Sequence, residues 1–125
     1  MRGEMGWYSA CARLMIQMDD AQHVPRYKHS VFVFKARDRG HAQRIAVALG
    51  KKQEAEYANS EGRTVTFRLV DVPALEAIAA DSGALDSREI YAHYEEVPER
   101  ERVEFGHAFC PERSDTGGAR IKELE

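Results

Sequence analysis

The chain has 125 residues, of which 43% are hydrophobic and 31% charged, and a formal net charge of −3. This predicts one domain with a single modest core. The longest apolar run is five residues, Ile45 to Leu49, whereas a bilayer span needs about 20. The N-terminus also lacks the hydrophobic stretch of a secretory signal. We therefore expect a cytoplasmic protein whose two cysteines, Cys11 and Cys110, are reduced thiols.

The charge is unevenly distributed along the chain. Residues 26–52 have a net charge of +7, whereas residues 53–125 have a net charge of −9. A basic segment suggests nucleic-acid binding, but the pI is about 6.0, well below the value of about 9 that is typical of nucleic-acid-binding domains. We interpret residues 26–52 as solvent-facing helix and strand surface, and keep nucleic-acid binding as the alternative.

Two strands and a helix are predicted in the first half of the chain. Residues 7–18 alternate with a period of two, which is typical of a half-buried strand. A second strand over residues 29–37 follows a polar loop, so the two should pair antiparallel. Asp38 is a predicted N-cap for a helix over residues 39–59. The apolar stripe of this helix follows helical spacing and consists of Ala42, Ile45, Ala46 and Leu49.

The second half of the chain predicts a third strand over residues 63–72 and a fourth over residues 88–95. In the fourth strand, alternation predicts that Ile90, Ala92 and Tyr94 face inward, toward the helix. Between them, Pro73 suits the first position of a short helix over residues 74–80, and Asp81-Ser82-Gly83 would end that helix. The predicted fold class is α+β. It comprises a four-stranded, mainly antiparallel sheet, with element order β-β-α-β-α-β and one long helix packed on one face.

The domain boundary is predicted near residue 96. Residues 1–96 should form a single α+β domain, and residues 97–125 a C-terminal extension that is partly disordered. The extension includes a candidate packed segment with Val103, Phe105 and Phe109.

Two segments carry a family resemblance. The opening strand, Gly6-Trp7-Tyr8-Ser9-Ala10, resembles that of a bacterial family of unknown function, DUF4288. Residues 66–75 are similar to the strand in that family that runs into a short helix, and Ile90-Tyr91-Ala92-His93-Tyr94 to its closing aromatic strand. The resemblance covers roughly residues 6–95 and implies no reaction, cofactor or catalytic residue.

The motifs of common enzymes and metal sites are missing from the sequence. His107 and Cys110 have a ligand-like spacing, with Cys11 or His23 as candidate partners, but structural zinc sites need three or four converging ligands. Cys11 lies in mid-strand, without the helix N-terminus that lowers a thiol pKa, so we interpret it as a packing residue. No phosphate-binding glycine loop is found. We predict a non-enzymatic protein without cofactor or metal.

The sheet face opposite the helix is the candidate interaction surface. It combines aromatic, aliphatic and arginine side chains, the types that are enriched in protein interfaces. The candidate partner-binding residues are Trp7, Arg13, Met15, Val31, Val33, Arg68, Tyr91 and His93. Alternatively, residues 96–110 of the same chain cover this face.

We expect the chain to bind another protein or a second copy of itself. One concrete version is an immunity-type protein that neutralises a cognate bacterial toxin, with its acidic C-terminal half attracting a basic partner. The alternative is nucleic-acid binding through residues 26–52, and a third hypothesis is a small enzyme using Cys11 or His93. Nothing in the sequence indicates a membrane partner.

Overall fold

Within the described residues, the protein consists of a five-stranded antiparallel sheet with one α-helix. The computed structural model describes residues 5–78 and 88–113. The strands lie in the order β3-β4-β1-β2-β5, and each neighbouring pair is antiparallel. The elements are β1 (Gly6–Met18), β2 (Arg26–Ala36), α1 (Arg39–Lys51), β3 (Ala55–Ala58), β4 (Thr64–Ile78), β5 (Arg88–Glu96) and two short 3-10 helices, Glu99–Glu101 and Pro111–Arg113. The predicted α+β class, with one helix and an antiparallel sheet, is therefore confirmed. The predicted strand number and element order are wrong.

The predicted long helix is in fact a helix followed by a strand. α1 begins as predicted, because the Asp38 carboxylate accepts the backbone N–H of His41 at 2.8 Å. Near its end, Gly50 approaches Leu69 so closely that a Cβ there would lie 2.7 Å from Leu69 Cδ1. A side chain at this position would force Leu69 to shift, and the absence of a Cβ lets the end of α1 lie directly on β4. The chain then turns and forms β3 instead of continuing as a helix.

β3 and β4 form a hairpin that the sequence prediction missed. The Asn59 side-chain oxygen accepts the backbone N–H groups of Glu61 and Arg63, at 2.9 and 3.0 Å. Gly62 closes the turn with φ +81°, a conformation that glycine adopts without steric cost. This side-chain-stabilised turn sets the start of β4.

The segment predicted as a short helix belongs to β4. Pairing with β1 shifts between Asp71, opposite Arg13, and Ala74, opposite Cys11. Pro73 lies in this irregularity, where a strand tolerates a proline. The adjacent β3 pairs only with Thr64–Phe67, so it forms no ladder with this part of β4. The last part of the predicted helix and its terminating turn lie outside the described residues.

The main core lies between α1 and one face of the sheet. Its buried residues come from β1, β2, β4 and α1, and include Leu14, Phe34, Ala46, Leu69 and Val72. Ile90 was predicted to face this core, but it is 43% exposed. The reason is a bulge that places Glu89, instead of Ile90, opposite Phe32.

The C-terminal segment comprises residues 97–113. Residues 97–109 pack against the other face of the sheet, which we call the second face, whereas the last turn, Pro111–Arg113, contacts β4 and α1. Val97 is fully buried, and its N–H donates to the carbonyl of Pro25. Val103 and Phe109 pack against Met15 and Tyr27, whereas Phe105 remains exposed. Residues 114–125, where we predicted disorder, lie outside the described residues. Within the described chain, no helix has the length and apolar character needed to cross a membrane.

Candidate interaction surface

The strand register places the predicted partner-binding residues on the second face. Val31 lies between Cys11 of β1 and Tyr91 of β5, and Met15 lies opposite Arg68 of β4. This follows from the two-residue alternation of side chains along a strand. The predicted set thus shares a face, but its members differ widely in exposure.

Three of the predicted residues have almost no free surface. Met15 is 1% exposed and lies beneath the C-terminal segment. Trp7 and Val33 are buried as well, at 8% and 6% exposure, and the Lys35 ammonium lies 5.2 Å from the centroid of the Trp7 ring. In this conformation, these side chains support the sheet and do not present contact area to a partner.

Arg13 is held inside the protein by an ion pair. Its Nε donates to Asp71 Oδ1 at 2.9 Å and its Nη2 to Oδ2 at 2.6 Å, a bidentate arrangement. Burial is the largest influence and disfavours the charge, but the hydrogen bond with Asp71 and the charge interactions with Asp71, Tyr27 and Glu101 together raise the pKa of Arg13. The guanidinium also lies 4.6 Å from the centroid of the Tyr27 ring. Arg13 therefore organises the second face from within.

Polar contacts fasten the C-terminal segment to the second face. The Tyr27 hydroxyl donates to Glu101 at 2.8 Å, and Gln17 Nε2 donates to the carbonyls of Val103 and Glu104. Burial, and then the bond to Glu101, raise the pKa of Tyr27 above its usual value. The segment thereby closes the part of the second face around Met15 and Tyr27.

Arg68 belongs to the β3–β4 hairpin. Its Nη2 donates to Glu56 at 2.9 Å, and its Nη1 to the carbonyl of Ala55 at 3.1 Å. Its side chain is about one-third exposed, so part of it remains open to contact. It is held near β3, at the opposite edge of the sheet from Tyr91 and His93.

The most exposed predicted residues are on β5. Tyr91 is 59% exposed, and its ring centroid lies 5.7 Å from that of His93. His93 stacks on His29 with ring centroids 4.4 Å apart and an interplanar angle of 10°, and His29 Nε2 lies 2.8 Å from Glu95 Oε2. With the exposed Ile90 of the bulge, Tyr91 and His93 form what we call the β5 surface.

β5 is an edge strand that is tied to the body by a side-chain cluster. Lys28 Nζ lies 3.4 Å from Glu89 Oε2, and Gln53 Nε2 donates to the same oxygen at 2.8 Å. Burial opposes the charge on Glu89, but hydrogen bonds from Ser30 and Gln53 and the charge of Lys28 lower its pKa. These contacts fix the inner side of β5.

The residues considered for catalysis or metal binding do not converge. Cys11 is half-buried, and burial raises the pKa of its thiol despite the nearby Arg13 charge, which keeps the thiol protonated at neutral pH. Cys110 is exposed, and both cysteines are free thiols. In the described part of the chain, no group of three or more His, Cys, Asp or Glu residues could hold a metal.

The basic segment is partly neutralised by its surroundings. Lys28 pairs with Glu89, Lys51 pairs with Glu112, and Arg39 donates to the carbonyl of Leu75. The exposed bases that remain are distributed over β2, α1 and the adjoining loops: Arg26, Lys35, Arg37, Arg44 and Lys52.

With the fold in place, comparison with known proteins identifies the family. The model of DUF4288, a domain of unknown function, matches residues 7–92, which run from β1 into β5. The chain belongs to the DUF4288 family, as the motifs in its first and last strands predicted. No curated protein matches it, and no solved structure does so either. The C-terminal segment lies outside the matched residues.

Sequence reasoning missed two residues that shape this surface. Asp71 interrupts an apolar run, Leu69-Val70-Asp71-Val72, and a lone acid in such a run is the signal of a buried ion pair. Tyr27 was assigned to a loop, although it begins the alternation that continues through β2. Neither signal identifies the partner, because Arg13 and Glu101 are distant in sequence.

Proposed function

We propose that the chain is a non-enzymatic protein-binding module that contacts its partner through the β5 surface. The observation that carries this proposal is the exposure of two large apolar side chains, Ile90 and Tyr91, on a single edge strand. An edge strand presents unpaired backbone groups, and tyrosine is enriched among the residues that dominate binding energy.

The form of β5 limits how a partner binds. Addition of a partner strand to a sheet edge uses backbone hydrogen bonds for affinity and alternate side chains for specificity. The bulge at Ile90 and the charges of Glu95 and Glu96 disfavour unselective edge pairing. A partner strand that adds to β5 would therefore pair along the short stretch between the bulge at Ile90 and the charge of Glu95. In this stretch, Tyr91 and His93 would determine specificity.

The class of partner follows from charge. Residues 53–125, which include β5 and the C-terminal segment, have a net charge of −9, which favours association with a basic protein. An immunity-type protein that neutralises a cognate toxin is the concrete version that we propose. Self-association through β5 is the competing version.

Paired tyrosine variants test the β5 surface. Tyr91→Glu places a charge on the β5 surface, and Tyr57→Glu is a matched control on the opposite edge strand, where Tyr57 is 50% exposed. We expect the wild type and Tyr57→Glu to retain the same partner in affinity capture, and Tyr91→Glu to lose it. Light scattering of the same three proteins separates self-association from binding to another protein.

The proposal would be contradicted if the wild type is monomeric in light scattering and captures the same set of proteins as Tyr91→Glu. Nucleic-acid binding through residues 26–52 is tested separately by gel shift at low ionic strength. Retardation at micromolar protein that weakens steeply with salt would favour that alternative function.

A further inference from the structure

The face of the sheet that carries α1 is only partly covered by it. Beyond the end of α1 lies an open basin of about 440 Å³, a volume within the range of small-molecule sites. All five strands and the two adjoining loops contribute to it. The basin is lined by Ile16, Met18, His23, Arg26, Tyr57, Asn59, Val65 and Tyr94.

The basin has an apolar floor between two aromatic walls. Ile16, Met18 and Val65 form the floor from the central strands. Tyr57 and Tyr94, each 50% exposed, stand on the two edge strands, which are four strand spacings apart, or about 19 Å. The basin is therefore long and narrow across the strands. Strands joined by backbone ladders hold its shape before any ligand binds.

The lining of the basin includes one lysine or arginine. This residue is Arg26, and none of the lining residues is acidic, although Glu96 lies directly opposite Arg26 in the β2–β5 ladder, just outside the lining. Within the described part of the chain, Arg26 has no ion-pair partner, whereas Lys28, Lys51 and Arg68 are each paired with a glutamate. In a chain of net charge −3, this local charge favours an anionic ligand.

A second polar group at the rim lacks a partner. His23 Nε2 is buried and has no hydrogen-bond partner among the described residues. A buried polar group that is left unpaired is destabilising. His23 lines the basin, and a shift of its side chain that exposes this nitrogen to a ligand head group would relieve that cost. Asn59, in contrast, is already used in the hairpin turn and donates to Met18 Sδ.

We propose that this basin binds a small amphipathic anion, with its apolar chain on Ile16, Met18 and Val65 and its carboxylate at Arg26. Arg26 lies directly opposite Ile16 in the β1–β2 ladder, so the charge is adjacent to the apolar floor. The proposal is independent of the β5 surface, because Tyr94 and Tyr91 point to opposite faces of β5.

The direct test is titration of the isotopically labelled protein with decanoate, followed by amide chemical shifts. Decyltrimethylammonium, with the same chain and the opposite charge, is the matched probe. We expect saturable shifts from decanoate that are centred on Ile16, Met18 and Val65, and at least about fivefold weaker binding of the cation. Equal binding of both probes, or shifts centred elsewhere, would overturn the proposal.

Variants then assign the charge recognition to Arg26. Because Arg26 is exposed, Arg26→Gln should preserve the fold, and we expect it to weaken decanoate binding about fivefold. Arg44→Gln on α1 removes an exposed arginine outside the basin, and Tyr91→Ala removes the exposed ring on the opposite face of β5; both should bind decanoate like the wild type. Unchanged affinity in Arg26→Gln would contradict the proposed head-group site.

Discussion

The two faces of the sheet are covered by different physical means. α1 covers its face through apolar packing, with Leu14, Phe34 and Leu69 almost fully buried beneath it. The C-terminal segment covers part of the second face with a smaller apolar cluster and with directional polar bonds from Gln17 and Tyr27. Apolar packing is proportional to area and non-directional, whereas each polar bond depends on one geometry.

This difference shows where the fold is sensitive to single polar groups. On the second face, Asp71 is 1% exposed, and its charge is balanced by Arg13. A buried ion pair contributes little compared with apolar residues of the same volume, but removing one partner is strongly destabilising. The second face should thus respond to charge and pH, and the α1 face to side-chain volume.

The largest effect is expected from Asp71→Ala, which leaves the Arg13 charge without its bidentate partner. We expect the free energy of unfolding to fall by about 4 kcal/mol, as measured by chemical denaturation. The double variant Arg13→Met, Asp71→Leu removes both charges and should recover most of that loss. A loss below about 1 kcal/mol in Asp71→Ala would contradict this prediction, because it would mean that water can replace Asp71 as the partner of the Arg13 guanidinium.

A somewhat smaller effect is expected on the α1 face from Leu14→Ala. The fully buried Leu14 leaves a cavity, which should lower the free energy of unfolding by about 3 kcal/mol. Ile16→Ala is the matched control on the same strand and face, because Ile16 is only half-buried and lies in the open basin. Equal losses in the two variants would contradict the partial coverage of this face by α1.

The smallest effect is expected from Tyr27→Phe, which removes one hydrogen bond to the C-terminal segment. We expect a loss of about 1 kcal/mol at neutral pH, with faster hydrogen exchange confined to residues 97–113. In the wild type, the folded pKa of Tyr27 lies above its usual value of 10, so the unfolded chain ionises first as pH rises past 10. Stability therefore falls above that pH, and the fall should be shallower in Tyr27→Phe.

Much of the fold could be predicted from local patterns. The alternation in β1 and the apolar stripe of α1 each depend on residues close in sequence, and the Asp38 cap needs only the residues after it. β3 was missed because it has four residues and no buried side chain, so it has no hydrophobic period to detect. Pro73 was misread because its tolerance in β4 depends on how far β3 extends, which is a tertiary feature.

The interaction surface was less predictable, because exposure depends on long-range packing. Alternation correctly placed Met15 and Tyr91 on one face of the sheet. Their exposure differs because the C-terminal segment covers Met15 and leaves Tyr91 open, and the path of that segment is not encoded in the alternation. Ile90 was assigned to the core because alternation assumes a regular strand, and a bulge reverses the side on which a residue lies.

The central position of β1 has a consequence for how the chain is made. Its neighbours are β2, which follows immediately, and β4, which is synthesised much later. As the polypeptide leaves the ribosome, a β1–β2 hairpin is therefore available with both outer edges bare until β4 and β5 emerge. Folding must wait for these distant strands, and during that interval the nascent hairpin is the species most exposed to aggregation.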